Sequence, residues 1–203
     1  MVASALKDES AGLIEVPELR NEKILPAAVV YGANASGKSN FVKAISHMVA
    51  MVRDSFNRGE PGGPIPLKPF LLDPSYVEKP SAFTIDFIWN GARYSYGFEV
   101  TSKEVLGEFL YVWRTGRETK LFTRDLQTFD FGHSLRGRNK LIEDLTRSNS
   151  LFLSAAWQNN HEQLSELTQF FRSIFVYLGE QANYSSVYSH LSEKNQPISF
   201  KFT

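Results

Sequence analysis

The sequence contains no cysteine. That excludes a disulfide scaffold, thiolate-ligated metal and thiol nucleophiles. It also lacks net charge: Lys+Arg and Asp+Glu are both 22 in 203 residues. No overall basic field draws nucleic acid to it, so any such contact must come from a local patch. No apolar run approaches the roughly 20 residues needed to cross a bilayer. The first twenty residues are interrupted by Lys7, Asp8, Glu9, Glu15, Glu18 and Arg20, unlike a signal peptide. A cytoplasmic protein without membrane association is the expectation. The four histidines, at 47, 133, 161 and 190, show no metal-ligand spacing, and no Ser-His-Asp arrangement suggests itself.

What is there begins with core-forming material: 42% hydrophobic and 13% aromatic residues, enough to fold without staples. Ile24 to Tyr31 is a nearly continuous apolar run, which predicts a strand buried on both faces. A shorter strand is expected over 13–18. After a glycine-bearing segment, Phe41, Val42, Ile45, Met48, Val49 and Val52 recur at three- and four-residue spacing. That predicts a helix with one buried stripe.

The segment between them is Gly32-Ala33-Asn34-Ala35-Ser36-Gly37-Lys38-Ser39, a G-x-x-x-x-G-K-S pattern. Each fixed position has a physical reason. Gly32 and Gly37 allow a tight loop whose backbone N–H groups turn inward around phosphate oxygens. The helix that follows directs its positive end at the same place. Lys38 brings an ammonium to the β and γ phosphates, and Ser39 offers a hydroxyl to Mg²⁺. Strand, loop and amphipathic helix are the context this chemistry requires. ATP and Mg²⁺ are therefore the expected ligands, with residues 32–40, Asn40 included, as the binding segment.

Residues 59–69 hold three glycines and four prolines and break the chain between elements. Alternation follows. Phe83, Ile85, Phe87 and Trp89 precede Asn90-Gly91, and Ala92, Tyr94, Tyr96 and Phe98 come after it. A two-residue turn pairs Trp89 with Ala92, Phe87 with Tyr94, Ile85 with Tyr96 and Phe83 with Phe98, all on one face. Further strands are expected over 105–114 and 119–124. The last third reads as helical, with a short helix near Leu141 and Leu145 and a longer one carrying Leu164, Leu167, Phe171, Ile174, Phe175 and Leu178. The tail from Gln181 to Thr203 is polar, with a short strand pattern at Ile198–Phe202.

Two further candidates concern function. Gln158 follows the apolar stretch Leu151–Trp157, and a glutamine after a strand can reach Mg²⁺ and an attacking water. The alternative is a surface amide before a helix. Between Arg114 and Lys140, seven basic residues (114, 117, 120, 124, 136, 138 and 140) outnumber Glu118, Asp125 and Asp130. This region is a candidate contact for nucleic-acid phosphate, set against the commoner solvated charged face.

The stretch Tyr31–Asn40 resembles the bacterial ABC-like AAA ATPases related to the OLD and SMC/RecF heads, many of which occur in anti-phage and abortive-infection systems. Pro69-Phe70-Leu71-Leu72-Asp73, Tyr94-Ser95-Tyr96-Gly97-Phe98-Glu99 and Asn149-Ser150-Leu151-Phe152-Leu153-Ser154 are similar to that family too. The resemblance spans about residues 13–178. It implies an α/β fold: a P-loop NTPase lobe of the ABC head type, with an inserted antiparallel β-subdomain and a C-terminal helical segment. The lobe would occupy 1–180, with the P-loop at 32–39, the antiparallel block at about 67–125, helices at about 140–178 and a tail at 181–203. It also implies ATP sandwiched between two heads, as a homodimer or with a second chain, and Gln158 as a match to the Q-loop glutamine. The family's acidic strand end has no counterpart here, since no apolar run ends in Asp-Glu. Leu191-Ser192-Glu193-Lys194 is a poor substitute for its Leu-Ser-Gly-Gly-like signature. The expectation is the N-terminal part of such an ATPase, binding ATP but depending on further motifs for hydrolysis. Two alternatives stay open: a nucleotide-gated module that binds nucleic acid or a partner without catalysis, and a small-molecule kinase.

Overall fold

Alternating apolar residues dictate the largest element, a five-stranded sheet. In the computed structural model, which describes residues 12–19, 23–34, 36–67 and 79–176, this sheet is an antiparallel meander. Its strands are β3 (Ser81–Trp89), β4 (Ala92–Val100), β5 (Val105–Trp113), β6 (Glu118–Asp125) and β7 (Thr128–Phe131), in that spatial order. A small hairpin of β1 (Ile14–Glu15) and β2 (Lys23–Ile24) precedes it, and four helices complete the described chain: α1 (Lys38–Arg58), α2 (Asn139–Leu145), α3 (Phe152–Gln158) and α4 (Leu164–Ser173). The fold is mixed α/β.

The β3–β4 register is the one the turn predicts: Trp89 faces Ala92, Phe87 faces Tyr94, Ile85 faces Tyr96 and Phe83 faces Phe98. Asn90 and Gly91 both have positive φ, 48° and 72°, the geometry of a type I′ turn. The aromatic face turns toward the helices. Phe170 of α4 stacks on Phe87 at 4.0 Å between centroids, and Phe171 meets Phe87 and Tyr96 edge-on, at 5.5 Å each. Phe152 of α3 packs on Phe122, Phe129 and Phe131. The C-terminal half of α1 lies on α3 and α4 and buries Met48, Val49, Met51 and Val52 in the same core. On the opposite sheet face, Ile88 is covered by Val16 and Ile24 of the small hairpin.

Charged side chains tie the helices to the sheet. Glu108 of β5 is fully buried and reaches the start of α3, where the N–H groups of Phe152 and Leu153 donate to it at 2.6 and 3.0 Å. Tyr96 Oη donates to the same carboxylate at 2.9 Å, and the Arg124 guanidinium stands 3.6 Å away. Burial pushes the Glu108 carboxyl up from its ordinary value, while Arg124, the two N–H groups and Tyr96 pull it back. Every partner is a donor, so the ionised form is the one this site satisfies. Arg124 also donates to the carbonyls of Leu126, Ser150 and Arg147.

The loop so held places Arg147 against the C-terminus of α1, where it donates to the carbonyls of Phe56 and Gly59 at 2.6 and 2.9 Å. A cation on those unpaired carbonyls complements the helix dipole. Asn149 Nδ2 donates to Glu60 and Gly63 carbonyls, and Ser55 Oγ accepts from the Leu151 N–H. The stretch Asn149–Ser154, which carries part of the family resemblance, is thus the clamp between α1 and the sheet.

Four expectations differ from what is observed. The longer helix expected to carry Ile174 and Phe175 ends at Ser173, where Ile174 turns to an extended conformation. The strand expected over 24–31 ends at Ile24, and the chain beyond it is irregular, with Val29 86%, Val30 56% and Tyr31 90% exposed. Pro26 lacks an N–H and cannot extend the pairing of β2 with β1, and no described strand lies beside 27–31. The stretch before Gln158 is helix α3 rather than a strand. The strand expected over 13–18 is shortened to Ile14–Glu15, followed by a 3-10 turn at Pro17–Leu19. The expectations for Pro69–Asp73, Leu178, Leu191–Lys194, the 181–203 tail and the strand at 198–202 lie outside the described residues, as do residue 35 of the loop and residues 68–78 at the start of the β block.

Candidate functional site

The phosphate-loop pattern is built on the N-terminus of α1. Gly37 precedes the helix with φ 91° and ψ 0°, in the left-handed region, where a side chain is disfavoured and glycine is not. That conformation lets the chain turn directly into helix at Lys38. The Gly37 carbonyl accepts from the N–H groups of Asn40 and Phe41 at 2.9 and 3.1 Å. Lys38 and Ser39 belong to the first turn, whose N–H groups have no intrahelical acceptor. The helix thus presents donors and its positive dipole end at an exposed loop.

Lys38 folds back over this loop. Its Nζ donates to the carbonyls of Gly32 at 2.7 Å and Ala33 at 2.6 Å, with Ser36 Oγ at 3.4 Å. The Ser36 N–H closes a turn onto the Ala33 carbonyl at 3.3 Å. The ammonium is thus held at the loop centre by neutral acceptors, weaker partners than an anionic phosphate oxygen. Gly32, Asn34, Ser36, Ser39 and Asn40 are exposed around it. Among these, Ser36 and Ser39 carry hydroxyls of the oxygen type a hard cation takes, and Ser36 Oγ already faces the Lys38 ammonium. No group of three or more His, Asp or Glu able to hold a metal occurs among the described residues.

The other candidates fall elsewhere. Gln158 is exposed at the last position of α3. The basic stretch is divided: Arg124 is buried, Lys120 pairs with Asp130, Lys140 with Glu143 and Arg138 with Glu162. Arg114, Arg117 and Arg136 remain exposed.

His161 is a structural cap. Its Nδ1 accepts from the N–H groups of Gln163 and Leu164, each at 3.2 Å, which leaves Nε2 to donate to Asn139 Oδ1 at 2.7 Å. His47 packs on Phe83. Burial lowers the pKa of both. Sequence reasoning missed Glu108 and counted its partner Arg124 as surface charge. A charged residue inside an alternating strand gives no signal of its own that its partners are backbone groups of a distant helix.

A family model described as "AAA domain, putative AbiEii toxin, Type IV TA system" matches residues 27–195. The chain belongs to this AAA domain family. Membership of a P-loop ATPase family supports nucleotide binding, with Mg²⁺ as its usual companion. No curated protein and no solved structure matches the chain significantly. No helix among the described residues of this AAA domain is long and apolar enough to cross a membrane.

Proposed function

We propose that this AAA domain binds ATP with Mg²⁺ through residues 32–40. The observation that carries the reading is the start of α1. Gly37 in the left-handed region opens the helix, and the Lys38 ammonium is gathered to the loop centre by the Gly32 and Ala33 carbonyls. Entry of a triphosphate replaces those carbonyls with anionic oxygens, and the first-turn N–H groups supply further donors. Ser39 ligates the metal. The chain acts as the ATP-binding part of an ABC-like head of the OLD/SMC/RecF kind, of use in anti-phage defence.

Turnover requires a positioned water and compensation of charge on the transferring phosphoryl group. No acidic strand end in the sequence supplies these, so hydrolysis depends on a second head and on acidic and signature motifs. The kinase alternative is less favoured, because the described main sheet is antiparallel throughout and offers no compact parallel sheet around an acceptor pocket. The test is calorimetry of ATP with Mg²⁺ and with EDTA. Ser39→Ala should weaken Mg-ATP binding and leave metal-free ATP binding nearly unchanged. Equal loss in both conditions would refute the role given to Ser39.

A further inference from the structure

A cavity lies away from the start of α1. It has a volume of about 320 Å³ and sits between the tip of the β3–β4 hairpin and the first turns of α4, with no residue of Gly32–Ser39 in its lining. This is the lower end of the size range of small-molecule sites. Trp89 and Leu167 give it an apolar wall, both side chains being largely buried in the core.

Its polar groups are mostly donors. Trp89 carries a buried indole N–H with no acceptor among the described residues. The Arg114 guanidinium lies beside the Tyr94 hydroxyl and pairs with no carboxylate among the described residues. Gln163 spends its carbonyl oxygen on the Arg136 N–H at 3.0 Å, which leaves its amide nitrogen to donate. Glu166 is the one carboxylate in the lining.

We propose that this cavity binds a small organic monocarboxylate with an apolar body. The apolar wall takes the body, and Arg114 with the neighbouring donors takes the carboxylate, a charge-assisted contact. Glu166 sets the limit on charge: its own negative charge disfavours phosphate and other multiply charged anions. The site is independent of the nucleotide reading, since it shares no residue with the loop.

The experiment uses the full chain with ¹⁵N-labelled tryptophan side chains, Trp89 being assigned through Trp89→Phe. Phenylbutyrate, its primary amide and inorganic phosphate are titrated separately. Phenylbutyrate should shift the Trp89 indole resonance and bind about tenfold more tightly than the amide, the ratio expected for one charge-assisted contact. Phosphate should leave the resonance in place. Arg114→Gln, an exposed position whose change spares the core, should abolish the preference for the acid over the amide. Equal binding of acid and amide, a preference that survives Arg114→Gln, a phosphate response as strong as the carboxylate's, or no response to phenylbutyrate at about 10 mM would each overturn the proposal.

Discussion

Replacing Glu108 with Gln changes one oxygen for one nitrogen in a site where every neighbour donates. The carboxylate accepts from the Phe152 and Leu153 N–H groups and from Tyr96 Oη, and faces Arg124 at 3.6 Å. A glutamine can keep its carbonyl toward Tyr96 and Leu153. Its amino group then points donor to donor at Phe152 N–H and Arg124, whose side chain is 0% exposed. Breaking a buried pair by removing one partner costs about 3–5 kcal/mol, a large part of a typical stability of about 5–15 kcal/mol. At about 2–4 °C per kcal/mol for a chain of this size, the melting temperature should fall by about 6–20 °C. The assay is thermal and urea unfolding of both proteins, with Glu108→Leu/Arg124→Met as a second arm. The double variant should lose at least as much as Glu108→Gln, because it also strips the Phe152 and Leu153 N–H groups, Tyr96 Oη and the carbonyls of Leu126, Ser150 and Arg147 of their partners. A Glu108→Gln protein within about 1 kcal/mol of the parent would show that the site holds a neutral carboxyl, and the reasoning from donors would fail.

Substituting Val-Val for Asn90-Gly91 should destabilise the protein by about 2–4 kcal/mol, since both positions hold positive φ and each left-handed β-branched residue costs about 1–2 kcal/mol; unchanged urea unfolding would contradict the turn assignment. Burial depresses the folded-state pKa of His47 and His161. Their contribution is therefore fully present above the unfolded value of about 6.5 and declines as pH falls through it toward the folded values. Melting temperatures recorded from pH 7.5 to about 5 should drop, and His47→Phe should flatten the slope; an equally steep slope in the variant would refute the part assigned to His47.

The hairpin was legible in the sequence because two independent signals coincide. Asn90-Gly91 sets the loop length, and the period-2 pattern from Phe83 to Phe98 sets the face, so only one register satisfies both. The helix after the glycine segment was legible because Phe41, Val42, Ile45, Met48, Val49 and Val52 recur at helical spacing, and α1 begins at Lys38. Leu151–Trp157 misled because its residues are almost all buried in the folded chain. An uninterrupted apolar run has no period by which helix and strand differ. The exposure of Val29–Tyr31 was not legible because the apolar run carries no information about which strand is available to pair with it. The counting of Arg124 in a basic surface failed for a related reason. Its charge is spent on Glu108 and on three carbonyls of a loop that sequence distance hides.

The central claim is nucleotide binding at the start of α1, and an ATP titration of the parent chain beside Lys38→Ala tests it most directly. Lys38 is half-buried and the hydrogen bonds of its ammonium among the described residues all stay within its own loop, so the two proteins should melt alike. Loss of a charged hydrogen-bond donor to phosphate should weaken ATP binding about 10- to 100-fold. Equal ATP affinity in two equally stable proteins would contradict the account.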